Sequence, residues 1–294
     1  MKDFSAKETI PENRLRPQNV IASGFRHSVA LRKDGTVVAA GDNRDGQCEV
    51  GEWSGIVAVA AGSGHMGSSH TVGLKADGTV AAVGWNKYEQ CEVGEWRNMV
   101  YIAAGWRSTV GVRSDGTTVA VGRNNEGQCN VSEWRDIVAA AAGDWHSIGL
   151  RRDGTIAAAG NNRHGQCRVS EWREMAAVAA GYLHSAGLCG DGTVRAAGMN
   201  KQGQCEVGGW RGIAAISAGS HHTVGLRIDG TVAAVGKNGH GQCDVSGWRE
   251  IVAVSAGCTH TLGLKADGTV LAAGRNDERQ CEVSGWSGIG NRTE

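Results

Sequence analysis

A cysteine recurs along this chain at nearly constant spacing, and every copy is preceded by Gln and followed two residues later by Val. The seven copies are Cys48, Cys91, Cys129, Cys167, Cys205, Cys243 and Cys281. Five of the six intervals between them span 38 residues, and one spans 43. A fixed period of this length indicates one small unit repeated seven times, so the repeat decides the fold class.

The unit from Val138 to Trp172 shows the content of one repeat. Its first apolar run ends at Gly143, a second follows His146, and the pair Asp153-Gly154 separates the second from a third. Asp-Gly between apolar runs predicts a hairpin with a type I′ turn, because Gly adopts positive φ without steric cost. No run has a sustained helical period, so we expect almost no helix. The pattern predicts three short strands and a weaker fourth strand at Gln-Cys-x-Val.

Strands such as Thr79 to Val83 are apolar at consecutive positions, which indicates burial on both faces. An open β-solenoid and a closed β-propeller both stack sheets in this way. An open stack needs polar units at its ends, whereas the first unit (24–56) and the last (257–289) match the interior ones. We therefore predict an all-β fold, a seven-bladed β-propeller with one blade per 38-residue repeat. It forms a single domain at 19–294, preceded by an N-terminal arm at 1–18.

The charge balance bears on the class of partner. The chain has 30 basic and 30 acidic side chains and no basic run, which argues against nucleic acid or an anionic membrane. No apolar stretch is long enough to span a bilayer. The first twenty residues lack the apolar core of a signal peptide.

The recurring cysteines are expected to remain reduced. Equivalent positions on neighbouring blades lie about 10 Å apart, beyond the roughly 7 Å Cα separation that a disulfide permits. Free thiols suit a reducing compartment, so we expect a cytoplasmic protein, or a secreted one if a signal peptide has been removed. The same spacing spreads the thiols too widely to bind a metal ion, and we expect no cofactor.

Histidine also recurs, and its regularity favours a structural role. It stands at His27, His70, His146, His184, His222 and His260, with Ser108 in the third unit. A polar residue between a loop and an apolar strand is expected to satisfy backbone groups of the loop. No nucleophile or paired carboxylate accompanies these histidines at a fixed offset, so we do not expect an enzyme.

Tryptophan falls into a repeated set and a set of exceptions. Trp53, Trp96, Trp134, Trp172, Trp210, Trp248 and Trp286 occupy one position of the repeat. We expect them to pack between blades. The alternative is a lectin or small-ligand binder in which each of these tryptophans forms one site per blade.

The exceptional aromatic residues fall in two loops, one after the first strand and one after the third. Both loops should emerge on the same face of the ring. Exposed aromatic and Arg side chains in polar loops are typical of protein-binding hot spots. We predict a non-enzymatic, monomeric protein-binding module with one asymmetric protein partner. The candidate partner-binding residues are Phe25, Arg26, Trp85, Tyr88, Trp106, Arg107, Asp144, Trp145, His164, Tyr182 and His221.

The segment from Gly24 to Gln47 resembles the repeats of the regulator of chromosome condensation family, in their short bacterial form. The resemblance spans all seven units, from residue 19 to residue 289. It implies a propeller fold and a binding function. Bacterial members of this family include propellers whose aromatic-lined loops plug the active site of a beta-lactamase, so the resemblance also implies an inhibitor-like protein.

Overall fold

The computed structural model describes residues 19–63 and 67–291. Within these residues the secondary structure consists of 21 strands in seven three-stranded antiparallel sheets, with no helix. Each sheet is one blade, and its three strands are adjacent in the order of the sequence. The predicted all-β fold with seven blades is therefore confirmed. The arm predicted at 1–18 lies outside the described residues.

The blades, numbered 1 to 7 in chain order, have the following strands. Blades 1 to 3 contain β1 (Ile21–Ser23), β2 (His27–Leu31), β3 (Val37–Gly41); β4 (Ile56–Ala61), β5 (His70–Lys75), β6 (Val80–Gly84); and β7 (Met99–Ala104), β8 (Ser108–Arg113), β9 (Thr118–Gly122). Blades 4 and 5 contain β10 (Ile137–Ala142), β11 (His146–Arg151), β12 (Ile156–Gly160); and β13 (Met175–Ala180), β14 (His184–Cys189), β15 (Val194–Gly198). Blades 6 and 7 contain β16 (Ile213–Ala218), β17 (His222–Arg227), β18 (Val232–Gly236); and β19 (Ile251–Ala256), β20 (His260–Lys265), β21 (Val270–Gly274).

The Asp-Gly pair forms the predicted hairpin, but with a different turn. In blade 4 Gly154 has φ +78°, whereas Asp153 does not have positive φ, so the turn is not type I′. Gly154 N instead donates to Arg151 O at 2.9 Å, and Arg151 N donates to Thr155 O at 2.9 Å. The Asp153 carboxylate accepts hydrogen bonds from the backbone and hydroxyl of Thr155, at 2.9 and 2.7 Å. These bonds hold Asp153 in its conformation and explain why only the glycine is left-handed.

The predicted fourth strand is wrong, because the Gln-Cys-x-Val segment forms turns. In blade 3 the Asn124 side chain accepts a hydrogen bond from Cys129 N at 2.8 Å, and the Gln128 side chain accepts one from Glu126 N at 3.0 Å. These side chains bind backbone N–H groups that a strand would pair with its neighbour. The predicted burial nevertheless holds, since Val131 is buried and Asn130 is exposed.

All nine cysteines are free thiols, as expected. The recurring cysteines are half-buried, and each donates a hydrogen bond to the backbone carbonyl six residues earlier. In blade 3 Cys129 Sγ lies 3.3 Å from Arg123 O, and burial raises the pKa of this thiol to about 11. A protonated thiol is a poor nucleophile and metal ligand. No group of residues suited to holding a metal ion occurs in the described part of the chain.

The apolar core is distributed between neighbouring blades. One cluster joins Ile148 of blade 4 to Met175 of blade 5, and both side chains are fully buried. The recurring tryptophans contribute to these interfaces, as predicted. Trp134 is 7% exposed, and a Cβ added to Gly149 of the next blade would lie 2.7 Å from its ring. Gly149 is therefore required at this point by the close approach of the indole.

The recurring histidines also connect blades, and their partners differ from the prediction. His146 Nε2 lies 2.8 Å from Ser185 Oγ of blade 5, and that hydroxyl donates to Gln166 O at 2.8 Å. Because the hydroxyl hydrogen is already used, His146 donates from Nε2 and is neutral. Burial lowers its pKa to about 4. The histidines thus bind a side chain of the next blade and reach the loop backbone only through it.

The same arrangement repeats around most of the ring. Equivalent bonds start from His27, His70, His184, His222 and His260. The exception is blade 3, where Ser108 replaces histidine. In the other blades, the histidine of the preceding blade contacts a Ser or Thr hydroxyl, and Ser147 occupies this position in blade 4. The Ser147 hydroxyl is buried and has no hydrogen-bond partner among the described residues. These hydrogen bonds between neighbouring blades form a circle, which we call the inter-blade ring. The bond between blades 3 and 4 is missing from it.

Blades 7 and 1 meet at a seam. His260 Nε2 lies 3.0 Å from Ser28 Oγ, which continues the inter-blade ring. Beyond the last strand, Ile289 pairs with Arg32 of blade 1 and is 1% exposed. Gly290 N donates to Leu31 O at 3.1 Å. The last part of the chain therefore completes the sheet of the first blade, and the ring is closed.

The first strands of the blades surround a central cavity of about 930 Å³. Alanines form much of its wall, including Ala104, Ala142, Ala180 and Ala218. Small side chains are needed where seven strands converge on one axis, because larger ones would fill the cavity. No helix capable of crossing a membrane is present in residues 19–63 and 67–291.

Candidate protein-binding site

The two variable loops of each blade lie side by side on one face, which we call the loop face. In blade 3, the loop after β9 begins at Arg123, whose N–H donates to Arg107 O in the loop after β7 at 2.8 Å. In blade 4, Asn161 N donates to Trp145 O at 2.9 Å. Corresponding bonds join the loops in the other blades. The loops after the first and third strands therefore share one face, as the strand order predicted.

In each blade the first strand is followed by a glycine, and the residue after this glycine lies at the loop-face end of the strand. These residues, which we call the mouth plug, are Phe25, Ser63, Trp106, Asp144, Tyr182, Ser220 and Cys258. Ser220 Oγ of blade 6 donates to Ser63 O of blade 2 at 2.9 Å, so residues from distant blades meet there. Of the mouth plug, only Ser63 lines the cavity.

Three of the predicted partner-binding residues belong to the mouth plug and are buried, which corrects the expectation that they are exposed. Phe25 is only 7% exposed and Trp106 only 4% exposed, so neither is an exposed anchor. Asp144 is likewise buried, at 1%. The physical reason is that side chains at this level meet residues of other blades, as Trp106 meets Trp145 and Ser220 meets Ser63. These buried residues lie beneath the exposed side chains of the loop face.

In blades 2 and 3, several aromatic rings of the loop face surround an arginine side chain. The Arg107 guanidinium carbon is 3.5 Å from the centroid of the Trp106 ring, 5.1 Å from that of Trp85 and 5.0 Å from that of Tyr88. Arg107 Nη1 also donates to the Tyr88 hydroxyl at 3.2 Å. Trp85 and Tyr88 themselves meet edge to face at 5.4 Å. Arg107 is therefore held between three aromatic rings.

Blade 4 extends this group through Trp145. Its ring meets that of Trp106 edge to face at 5.5 Å, and the Arg123 guanidinium carbon lies 4.3 Å from its centroid. We call the six side chains the aromatic–arginine cluster: Trp85, Tyr88, Trp106, Arg107, Arg123 and Trp145. All except Trp106 are half-buried, so the cluster has an accessible upper surface. Arg123 is not among the predicted candidates, although its position in a variable loop is a usable signal.

The remaining candidates lie elsewhere on the loop face. Tyr182 and His221 form an edge-to-face pair at 5.2 Å between blades 5 and 6. Arg26 lies over the Phe25 ring at 4.8 Å, close to the seam. His164 is exposed in the loop after β12. The structure therefore brings five of the predicted residues into one cluster and leaves the others in smaller groups.

The arginines of the loop face differ in how their charge is balanced. Near the seam, Arg26 and Arg44 both contact Glu278, at 3.0 and 2.9 Å, and Arg44 also contacts Asp42 at 2.7 Å. By contrast, Arg107 and Arg123 form no ion pair with a carboxylate of the described residues. Burial lowers the pKa of Arg107, and repulsion from Arg123 lowers it further. The cluster thus combines aromatic surface with unbalanced positive charge.

Solved structures with a similar fold come from plants and yeast. The ectodomain of the receptor kinase CR4 from Physcomitrella patens has a TM-score of 0.72 and 18% identity, over 87% of this chain and 73% of that chain. The ectodomain of the receptor kinase ACR4 from Arabidopsis thaliana has a TM-score of 0.67 and 18% identity, over 86% and 95%. Yeast RCC1 (Prp20), solved with Kap60, has a TM-score of 0.56 and 19% identity, over 93% and 74%. Identities this low establish a common fold alone.

Five of the seven repeats match a known family of repeats. No curated protein matches the chain. The Regulator of chromosome condensation (RCC1) repeat matches residues 20–47, 137–166, 175–204, 213–242 and 251–280, which together make up half of the chain. The unmatched blades 2 and 3 contain five of the six residues of the aromatic–arginine cluster. The chain belongs to the RCC1 repeat family.

Proposed function

We propose that the protein is a non-enzymatic protein-binding module that contacts one protein partner through the aromatic–arginine cluster. The observation that supports this most strongly is the mutual contact of six variable side chains from three neighbouring blades. Trp, Tyr and Arg are the residues most often found at interface hot spots. Their contacts hold them in place before binding, which reduces the entropy lost when a partner docks.

The position of the cluster supports a single partner. Residues that recur around the ring, such as the six histidines and the inter-blade tryptophans, are occupied in holding the ring together. The cluster departs from the repeat and occupies only blades 2 to 4. A lopsided surface of this kind suits one asymmetric protein better than seven small ligands.

The alternative of one ligand site per blade is less well supported. It requires the recurring tryptophans to present their rings to a ligand. Four of them, Trp96, Trp134, Trp172 and Trp210, are 7–8% exposed. The rings pack against a glycine of the next blade, as Trp134 does against Gly149, so their faces are not available for stacking.

A finer form of the proposal is that binding inhibits an enzyme. The chain resembles beta-lactamase inhibitory protein II, in which aromatic loops of a propeller occlude an active site. Among solved relatives, yeast Prp20 was crystallised with Kap60 and studied for binding to Gsp1p and histones, so other propellers of this fold bind proteins. Loss of beta-lactamase activity on adding this protein is the direct assay of the inhibitory form. We propose a cytoplasmic location for the protein, and its nine unpaired cysteines, which suit a reducing compartment, support this.

The proposal is tested by replacing Trp145 with alanine in a capture experiment. A partner is first identified by cross-linking from a photoreactive residue at position 88, and its affinity is then measured by calorimetry. Because hot-spot residues contribute about 2 kcal/mol or more, we expect Trp145→Ala to weaken binding by about thirtyfold. Trp106 is unsuitable for this test because it is buried in the mouth plug.

Lys201→Ala is the matched control, because Lys201 is exposed on the loop face of blade 5, outside the cluster. It should leave the affinity unchanged. Equal affinity of the Trp145→Ala protein and the parent, with unchanged thermal melting, would rule out the cluster as the binding surface.

A further inference from the structure

We infer that the aromatic–arginine cluster recognises a carboxylate, supplied by an acidic side chain next to an apolar residue in a loop of the protein partner. Arg107 and Arg123 bind the carboxylate, while Trp85, Tyr88 and Trp145 contact the apolar neighbour. The inference rests on the proposed function and specifies the chemistry of the partner.

The first supporting observation is the difference between the two halves of the loop face. At the seam, Glu278 lies between Arg26 and Arg44, and its Oε1 contacts both guanidinium groups at 3.0 and 2.9 Å. Here the fold itself supplies the carboxylate. In blades 2 to 4, Arg107 and Arg123 lie over the rings of Trp106 and Trp145, and the centroids of these two rings are 5.5 Å apart. No described carboxylate takes the place that Glu278 takes at the seam.

The second observation concerns hydrogen-bond donors within the cluster. Arg107 Nε and Trp145 Nε1 are both buried, and neither has an acceptor among the described residues. Both groups are donors only. Buried donors are nearly always paired, so these two leave the hydrogen bonding of the cluster incomplete. A carboxylate, which only accepts, brings oxygens to the accessible N–H groups of Arg107 and Arg123 at the surface of the cluster.

The third observation is the orientation in which Arg107 is held. Trp106 stacks against the guanidinium at 3.5 Å, and Nη1 donates to the Tyr88 hydroxyl at 3.2 Å. The Nε and Nη2 groups lie together on one edge of the guanidinium plane. Parallel N–H groups on such an edge match the two oxygens of a carboxylate. Because the ring contacts fix the plane, the Nη2 group on this edge is held in one orientation.

The acidic side chains near the cluster do not bind Arg107 and Arg123 as Glu278 binds the arginines at the seam. Asp144 is the carboxylate whose charge acts on Arg107, and it is buried below the cluster in the mouth plug. Its effect on the pKa of Arg107 is the smallest of those acting there. Glu126 accepts a hydrogen bond from Asn161 Nδ2 at 2.7 Å. Neither carboxylate forms an ion pair with Arg107 or Arg123.

The modest number of cations in the cluster favours a carboxylate over phosphate. A phosphate group carries about two negative charges at neutral pH and is usually held by several cations. The cluster offers two guanidinium groups within an aromatic surface, and Glu89 and Glu126 lie in the adjoining loops. A singly charged group with an apolar neighbour fits this surface better.

The inference is tested with two synthetic peptides that differ only in charge, Ac-Ala-Leu-Glu-Phe-Ala-NH2 and its counterpart with Gln in place of Glu. Binding is followed by calorimetry and by the NMR shift of the Trp145 indole N–H. Hydrogen bonds to charged groups contribute about 1.5–3 kcal/mol, so we expect the Glu peptide to bind at least about tenfold more tightly. The indole N–H signal should move only with the Glu peptide.

Arg107→Gln/Arg123→Gln should remove this preference, and Lys201→Gln should retain it. Arg123→Gln alone serves as a second variant, because Arg123 contacts one ring and its loss does not disturb the Arg107 cage. We expect it to reduce the preference. Equal binding of the two peptides to the parent protein would overturn the inference, and so would stronger binding of inorganic phosphate than of the Glu peptide.

Failure of this inference is distinguishable from failure of the proposed function. If Trp145→Ala abolishes binding of the identified partner while Arg107→Gln/Arg123→Gln leaves it intact, the cluster is a binding surface but does not recognise a carboxylate. If neither variant changes partner binding, the surface itself has been misidentified.

Discussion

Ser108 occupies the place that histidine takes in the six other blades, and the consequence is visible one blade further on. The hydroxyl of Ser147 is buried at 0% exposure without a partner among the described residues. In the other blades the corresponding hydroxyl accepts a bond from an imidazole and donates to a glutamine carbonyl, as Ser185 does. The backbone of blade 3 has the shape that histidine needs, because Gly105 approaches Gly143 O as Gly143 approaches Gly181 O.

We therefore expect Ser108→His to stabilise the protein. Restoring a hydrogen bond to a buried hydroxyl is worth about 1–2 kcal/mol. For a domain of this size, that corresponds to a rise in Tm of about 2–6 °C, measured by thermal melting. The control is the same substitution in a Ser147→Ala background, where the gain should disappear. A gain that persists without the Ser147 hydroxyl would contradict this account.

At the residue scale, the sequence predicts the structural role of the histidines but not their partners. His146 and Ser185 lie 39 residues apart, so the bond crosses from one repeat to the next. Within one repeat the histidine is simply followed by Ser or Thr, and nothing shows that the hydroxyl belongs to a different histidine. A recurring His-Ser or His-Thr pair is the signal that would have indicated the ring.

At the scale of the element, the loop before each recurring cysteine shows how a turn constrains its residues. Gly127 has φ +83° there, and most blades have glycine at this point. Blade 2 has Glu89 with φ +66°, and blade 7 has Arg279 with φ +64°. A side chain other than glycine in this region is disfavoured by about 1–2 kcal/mol.

Glu89→Gly should therefore stabilise the protein by about 0.5–1 kcal/mol, because relief of the strained φ exceeds the entropy that glycine loses on folding. Urea denaturation of the variant and the parent provides the measurement. Lys87→Gly is the control, since Lys87 does not have positive φ and should lose stability. Equal destabilisation by the two glycines would show that φ at residue 89 is not strained.

The turns around the recurring cysteines also explain why the prediction of a fourth strand was wrong. Cys129, Asn130 and Val131 alternate between partly buried and exposed positions, which is the pattern of a strand. The same alternation arises from consecutive turns when side chains bind the backbone. Asn124, five residues before the cysteine, has an equivalent in every blade, and its hydrogen bond to Cys129 N identifies the turn. The alternation alone did not distinguish the two structures.

At the scale of the whole molecule, the inter-blade ring makes stability depend on pH. Burial lowers the pKa values of the six ring histidines from 6.5 to about 3 or 4. They are neutral in the folded protein and become protonated on unfolding at acid pH. Their contribution is complete above the unfolded value of 6.5 and is lost progressively as the pH falls toward 4.

We expect the free energy of unfolding to fall steeply between pH 6.5 and pH 4. Each histidine contributes a slope of at most about 1.4 kcal/mol per pH unit once the unfolded form is protonated, and the six contributions add in the same direction. Urea titrations at several pH values measure this slope. His146→Asn should reduce the proton uptake on unfolding by about one. Uptake of fewer than two protons by the parent would contradict the neutral, buried ring.

The seven-bladed ring can be predicted because the repeat period, the apolar runs of the strands and the matching end units can all be read from the sequence. The mouth plug is not predictable in this way. Whether Phe25 and Trp106 are exposed depends on how closely seven loops converge at the axis, which no single repeat specifies. The convergence of Trp85, Trp106 and Trp145 likewise depends on the spacing between blades.

The pairing of Ile289 with Arg32 determines when the molecule can become complete during synthesis. Until residue 289 has left the ribosome, Arg32, which follows β2, lacks its pairing partner, and the nascent chain is an open arc of blades. The first and last blades of such an arc each leave an apolar sheet face uncovered. Closure of the ring therefore comes only after synthesis of the last blade.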